Sequence, residues 1–148
     1  MNTAVIMLTM IQYTNSNGVR DSLIYSALFS FRHYLELIMK DTLIRFKRGE
    51  LADCIINREH NLIVIWNELS QYIEDGEETN VMKKLINEVN MNDPSSEFFR
   101  YPYQINELTK ESPDIKQTRL NNIKKLKETM LKMFRFMDGV YSLADELS

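Results

Sequence analysis

Side chains able to do chemistry are few in this chain, and they fall in three places. Arg32, His33 and Glu36 sit close together in a helical pattern, with Lys40 one turn further on. His60 and Asn61 stand directly before LIVIW, the apolar run that holds Trp66. Asp93, Ser96, Arg100 and Tyr101 belong to the stretch DPSSEFFRYP. An Arg and a His within reach of one phosphate could cleave a phosphodiester, the His moving the proton and the Arg countering the developing charge. His60 or His33 would take the first role, Arg100 or Arg32 the second. On one helix, though, Arg32 and Glu36 share an edge of the core stripe one turn apart. His33 points nearly the opposite way from Ile24, so Arg32 and His33 cannot converge on one small group. The plainer role for Arg32 is a buried-edge cation, paired with Glu36 or Asp93 and holding the Asp93–Pro102 segment against the central helix, because a buried charge needs such a partner. His60 more often caps a helix or faces solvent than catalyses, and Phe98, Phe99, Tyr101 and Tyr103 read first as packing anchors.

Other chemistries find no support. There is no Gly-rich phosphate loop, no paired-cysteine or His-x-x-x-His metal motif, and no Ser in a Gly-x-Ser-x-Gly elbow. With one Cys and two His, a zinc site would need several carboxylates. No metal and no cofactor is expected.

The elements that must position these residues read as helices. Ser22–Lys47 has Ile24, Leu28, Phe31, Leu35, Ile38, Thr42 and Phe46 at steps of three or four, one stripe of a long central helix. Asp21 or Ser22 would cap its start and Gly49 follows its end. Its back carries Phe29 and Leu37, so the helix is expected to be enclosed by others. A first helix is expected over Thr3–Tyr13, with Asn15–Gly18 a turn. Glu50–Arg58 is ambiguous between short helix and loop. Asn61–Ile73 repeats the pattern with Leu62, Ile65, Trp66, Leu69, Tyr72 and Ile73 inward. Thr79 would cap a helix to Met91 with Val81, Met82, Leu85, Ile86 and Val89 inward. Asp93–Tyr103 breaks the rhythm, Pro102 forcing Tyr101 out of helical dihedrals, and Tyr103–Thr118 reads as an exposed connection.

The last helix, Gln117 to Leu147, carries a heptad seam through Ile123, Leu126, Met130, Met133, Met137, Val140, Ala144 and Leu147. Its partner is either inside the domain or a second copy. Gly139 interrupts it, which a close helix crossing or a bend would explain.

The totals agree with one all-α domain over 1–148, an up-and-down bundle of four to five helices. The 148 residues suffice for a core, and four Gly and three Pro leave few breaks. A single cysteine excludes an internal disulfide and fits a reducing, cytoplasmic setting. Ala4–Ile11 is too short to span a bilayer and lacks the flanks of a signal peptide, so no membrane association is expected. The formal charge of −3 gives no general pull toward nucleic acid. Glu68–Glu97 nevertheless carries eight acids against two lysines, and Lys116–Arg135 seven bases against one Glu. Such blocks read as solvated faces, or pair within a chain or between copies.

Three stretches, FRHYLELIMK, HNLIVIW and DPSSEFFRYP, in that order resemble an uncharacterised group of bacterial HEPN-like proteins. The resemblance spans the middle two-thirds of the chain. Its matching positions are Arg32, His33, Glu36, Lys40, His60, Asn61, Trp66, Asp93, Ser96, Arg100 and Tyr101, and it assigns none of them a chemical role. It implies a helical bundle, often dimeric. Many HEPN members are metal-independent ribonucleases of toxin or antiphage systems, which carry an Arg followed four to six residues later by His. Others are non-catalytic binding modules. Here His33 follows Arg32 directly, His60 follows Arg58 by two, and no His follows Arg100.

The expectation is therefore a non-catalytic HEPN-like module that forms a homodimer or binds a protein partner, in bacterial defence, toxin–antitoxin or stress biology. RNA is the less favoured partner. The rival is an atypical metal-independent ribonuclease using Arg100 or Arg32 with His60 or His33. A weaker third option is a nucleotide pocket under the DPSSEFFRYP stretch.

Overall fold

A computed structural model describes residues 3–14, 16–47, 59–92 and 115–147, with side chains given except at 17, 21 and 115–122. Five α-helices carry the described chain: α1 (Thr3–Tyr13), α2 (Asn17–Phe46), α3 (Leu62–Leu69), α4 (Glu77–Asn92) and α5 (Ile115–Leu147). A 3₁₀ turn, Ser70–Tyr72, extends α3, and no strand occurs among the described residues. The chain is an all-α bundle with a long central helix and a long C-terminal one. No described helix is long and apolar enough to cross a membrane.

The central helix begins five residues before the expected Ser22. Ser16 is extended at φ −89° and ψ 120°, and its hydroxyl oxygen accepts the Val19 backbone N–H at 3.5 Å. Arg20 Nε donates to the Thr14 carbonyl at 2.7 Å, fastening the α1–α2 corner. A serine cap makes Asn17 and Gly18 tolerable in the first turn, so the last two residues of the expected turn are helical. The expected Gly49 stop lies outside the described residues. Similarly, Thr79 does not cap α4, which starts at Glu77; its hydroxyl donates back to the Glu74 carbonyl at 2.9 Å, inside the first turn. The Glu50–Arg58 segment also lies outside the described residues.

Helix α2 packs against α1, α3 and α5, and α3 packs against α4. Cross-links fix the directions. His60 lies opposite Arg32, and Glu68 opposite Lys47, so α3 runs parallel to α2. Phe134 meets Phe31, and Asp145 meets Arg45, so α5 does too.

The core joins Leu8 and Ile11 of α1, Phe31, Leu35, Met39 and Leu43 of α2, Ile65, Trp66 and Leu69 of α3, Met82 and Ile86 of α4, and the α5 methionines. On α2 the buried line runs through Ala27, Phe31, Leu35, Met39 and Leu43, while Ile24, Leu28, Ile38 and Phe46 of the expected stripe are half-buried. Leu37, on the back, is 52% exposed, so that side is not enclosed as expected. In the 3₁₀ turn after α3, Tyr72 is exposed rather than inward.

The α5 seam closes inside the domain. Ile123, Met130, Met133, Met137, Val140 and Ala144 are buried and Leu126 is half-buried, but Leu147, the last residue of the expected seam, is 58% exposed beyond the helices it could pack on. Phe134 meets Phe31 edge-on at 5.3 Å and Tyr34 at 4.5 Å. Tyr34 donates to Asp138 Oδ1 at 3.3 Å, and burial followed by that carboxylate pushes its hydroxyl far above the usual tyrosine range. Arg45 bonds Asp145 and lies 4.4 Å over the Tyr141 ring. Gly139 is not a close crossing: a Cβ built there meets nothing within 4 Å, and α5 continues unbroken past it.

Candidate functional site

Four of the sequence-selected residues come together where the first turn of α3 meets the middle of α2. Arg32 is 0% exposed, a buried cation as expected, and it lies wholly inside. Its Nη1 donates to Glu36 Oε2 at 3.0 Å, and its Nη2 donates to the His60 backbone carbonyl at 2.6 Å. Glu36 is also buried, and its second oxygen takes two further donors: Lys40 Nζ at 2.8 Å and His60 Nδ1 at 2.9 Å. One carboxylate is thus the hub for a guanidinium, an ammonium and an imidazole.

Helix geometry explains half of this. Arg32, Glu36 and Lys40 follow one another at four-residue steps, so they stack along one edge of α2. The other half comes from the residues leading into α3, which present His60 to that edge. Burial pushes the Glu36 carboxyl up, but hydrogen bonds from Lys40, His60 and Arg32 outweigh it and hold the group below the ordinary glutamate range. An ionised Glu36 can only accept, so His60 donates its Nδ1–H. In the neutral ring this leaves Nε2 as an acceptor on a side chain 59% exposed.

The α3 start is capped with unusual completeness. Asn61 Oδ1 accepts the Ile63 and Val64 N–H groups at 3.0 and 3.4 Å. Leu62 N–H goes to Asn90 Oδ1 at 2.9 Å, and Asn61 N–H to Glu59 Oε1 at 2.6 Å. Donors that a helix start would leave bare are therefore satisfied. Asn90 and Glu59 were not anticipated from the sequence. The signal for Asn90 was present: it extends the inward row Met82 and Ile86 by one turn, as a polar residue in an apolar line.

The remaining candidates stand apart. Trp66 is sealed in the core, its ring centroid 6.1 Å from that of Phe136. His33 is exposed on the far side of α2, stacked on Phe29 at 6.1 Å, and does not converge with Arg32. Asp93, Ser96, Arg100 and Tyr101 lie outside the described residues, and with them the expected loop, its aromatic anchors and the pocket beneath it. Among the described residues no group of three or more His, Cys, Asp or Glu side chains could hold a metal ion.

The two charge blocks meet in part across a groove of about 330 Å³, where Glu78 of α4 lies with Lys132 and Arg135 of α5. No protein-family model, curated protein or solved structure matches the chain.

Proposed function

We propose that this chain is a non-catalytic HEPN-like helical module that works by association, with a second copy of itself or with a protein partner. The observation that carries this reading is the inward use of the polar cluster. Arg32 is sealed from solvent, and both of its terminal nitrogens hold protein oxygens. A guanidinium in that state orders the α2–α3 joint and is closed to a phosphate in solution. Lys40, mostly buried, is committed to Glu36. The setting in bacterial defence, toxin–antitoxin or stress biology rests on the resemblance of the three stretches.

One observation favours the rival, an atypical metal-independent ribonuclease. Glu36 orients His60 through Nδ1 and leaves Nε2 as an acceptor on a side chain that is largely exposed, the arrangement of a carboxylate-steered base. Arg100 would then have to supply the charge that Arg32 cannot reach.

Purified protein incubated with RNA, beside His60→Ala and Arg100→Ala, separates the two. Under our reading the RNA profile stays the same with and without protein. Cleavage that disappears in His60→Ala would replace it with the rival. Light scattering across a dilution series tests association, and a strict monomer that captures nothing from a lysate would overturn our reading.

A further inference from the structure

Helix α4 packs closely on α3, where Asn90 holds the Leu62 N–H, but not closely on α2 or α5. A recess of about 270 Å³ lies where these three helices face one another, at the Asn92 end of α4. Its walls are apolar, with Leu28 and Phe31 of α2, Leu85 and Val89 of α4, and Met130 and Met133 of α5 among them. The volume falls just below the range of small-molecule sites, roughly 300–1,000 Å³. It suits a single short chain or ring, and the thioether side chains can adapt to either.

The polar residues on the recess are Glu88, Asn92 and Thr129, and all three offer acceptors. Thr129 Oγ1 donates its hydrogen to the Lys125 carbonyl at 2.9 Å, so its oxygen can only accept a further bond. Asn92 Nδ2 donates back to the Glu88 carbonyl at 2.7 Å, and among the described residues nothing donates to its Oδ1. The Glu88 carboxylate is exposed and has no hydrogen bond or ion pair among the described residues. Two cations are near in sequence: Lys84 stands one turn before Glu88, and Lys125 one turn before Thr129. Both are exposed, neither lines the recess, and neither pairs with Glu88. A ligand with a carboxylate or phosphate head would therefore set acceptor against acceptor. A primary ammonium carries three donors and a positive charge, matching three acceptors of which one is an anion.

We propose that the recess between α2, α4 and α5 binds a small apolar amine, its hydrocarbon part against Phe31 and Met130 and its ammonium held by Glu88, Asn92 Oδ1 and Thr129 Oγ1. This goes beyond the reading of the chain as an associating module and does not depend on it.

Titration calorimetry at neutral pH tests it with one hydrocarbon chain on three heads: octylamine, octanol and octanoate. Octylamine should bind at least about tenfold more tightly than octanol, and octanoate more weakly still. Glu88→Gln should weaken octylamine about tenfold and leave octanol unchanged. Glu88→Lys should reverse the order of octylamine and octanoate. Glu77→Gln, at an exposed acid in the first turn of α4, should change none of the three. Circular dichroism verifies that each variant is folded. No binding of any probe to the wild type would mean that the recess is closed to small molecules, with segment 93–114 of this chain as the other occupant, and would overturn the proposal. Equal binding of all three, indifferent to Glu88→Gln, would make the site apolar without selection for an amine. Octanoate binding most tightly would assign the rim to Lys84 and Lys125 instead. Octylamine weakened as much by Glu77→Gln as by Glu88→Gln would reduce the effect to a general attraction of acidic α4 for cations.

Discussion

The guanidinium of Arg32 reaches across 28 residues of chain to the backbone carbonyl of His60, 2.6 Å away. The two sites on α2 and before α3 are thereby fixed to each other by a buried charge. Replacing Arg32 by Met should strand that carbonyl and unbalance Glu36. The expected cost is about 3–5 kcal/mol, read as a fall of roughly 10 °C in melting temperature. The double variant Arg32→Met, Glu36→Leu should recover part of the loss, because the pair rather than either member is what the core accommodates. An unchanged melting temperature in the single variant would refute the buried pin.

Glu36 links stability to acidity. Its folded carboxyl titrates below the ordinary glutamate value, held there by Lys40, His60 and Arg32 against the opposing effect of burial. Above about pH 4.5, the ordinary value, both folded and unfolded chains carry an ionised Glu36, and the contribution is fully present. As pH falls further the unfolded chain takes up the proton first, so stability drains away until the folded carboxyl protonates too. Urea midpoints measured between pH 3 and pH 7 should show this acid limb, and Glu36→Gln should flatten it. A limb of equal slope in the variant would assign the acid sensitivity to other carboxylates.

Asn90 gives α4 a direct hold on α3 through the Leu62 N–H. Asn90→Ala leaves a buried donor unmet and should cost about 1–3 kcal/mol. Chemical denaturation of the variant checks it, and a loss well under 1 kcal/mol would mean that water replaces the amide oxygen.

Gly139 faces open space within α5. Gly139→Ala should therefore raise stability by about 1 kcal/mol through helix propensity alone. Thermal or denaturant melting reads the change directly, and a decrease would reveal a contact at that position.

Much of the architecture was legible, and the misses have physical causes. Thr3–Tyr13 stood out because its apolar face is local and its end is marked by polar turn residues. The start of α2 did not, because Ser16 caps a first turn made of Asn17 and Gly18, whose types read as a break. Arg32 reads from the sequence as a buried cation at the edge of the stripe; its second partner, the His60 carbonyl, belongs to a distant segment, and no local pattern announces it. Its pairing with Glu36 is one of two that the sequence allows, with Glu36 or with Asp93, whereas the His60–Glu36 contact depends on how α3 docks. The inside closure of the α5 seam was likewise one of two arrangements that the heptads alone allow. Gly139 misled because a glycine in a helix suggests crowding, and here none exists.

The chain has a single tryptophan, and the bundle seals it completely, with the Phe136 ring beside it. The molecule thus carries its own optical reporter. Emission from that indole should be blue in the assembled bundle and shift red once solvent enters, and because α3 depends on the Arg32 and Asn90 anchors at its mouth, loosening either one should colour the signal before the long helices melt.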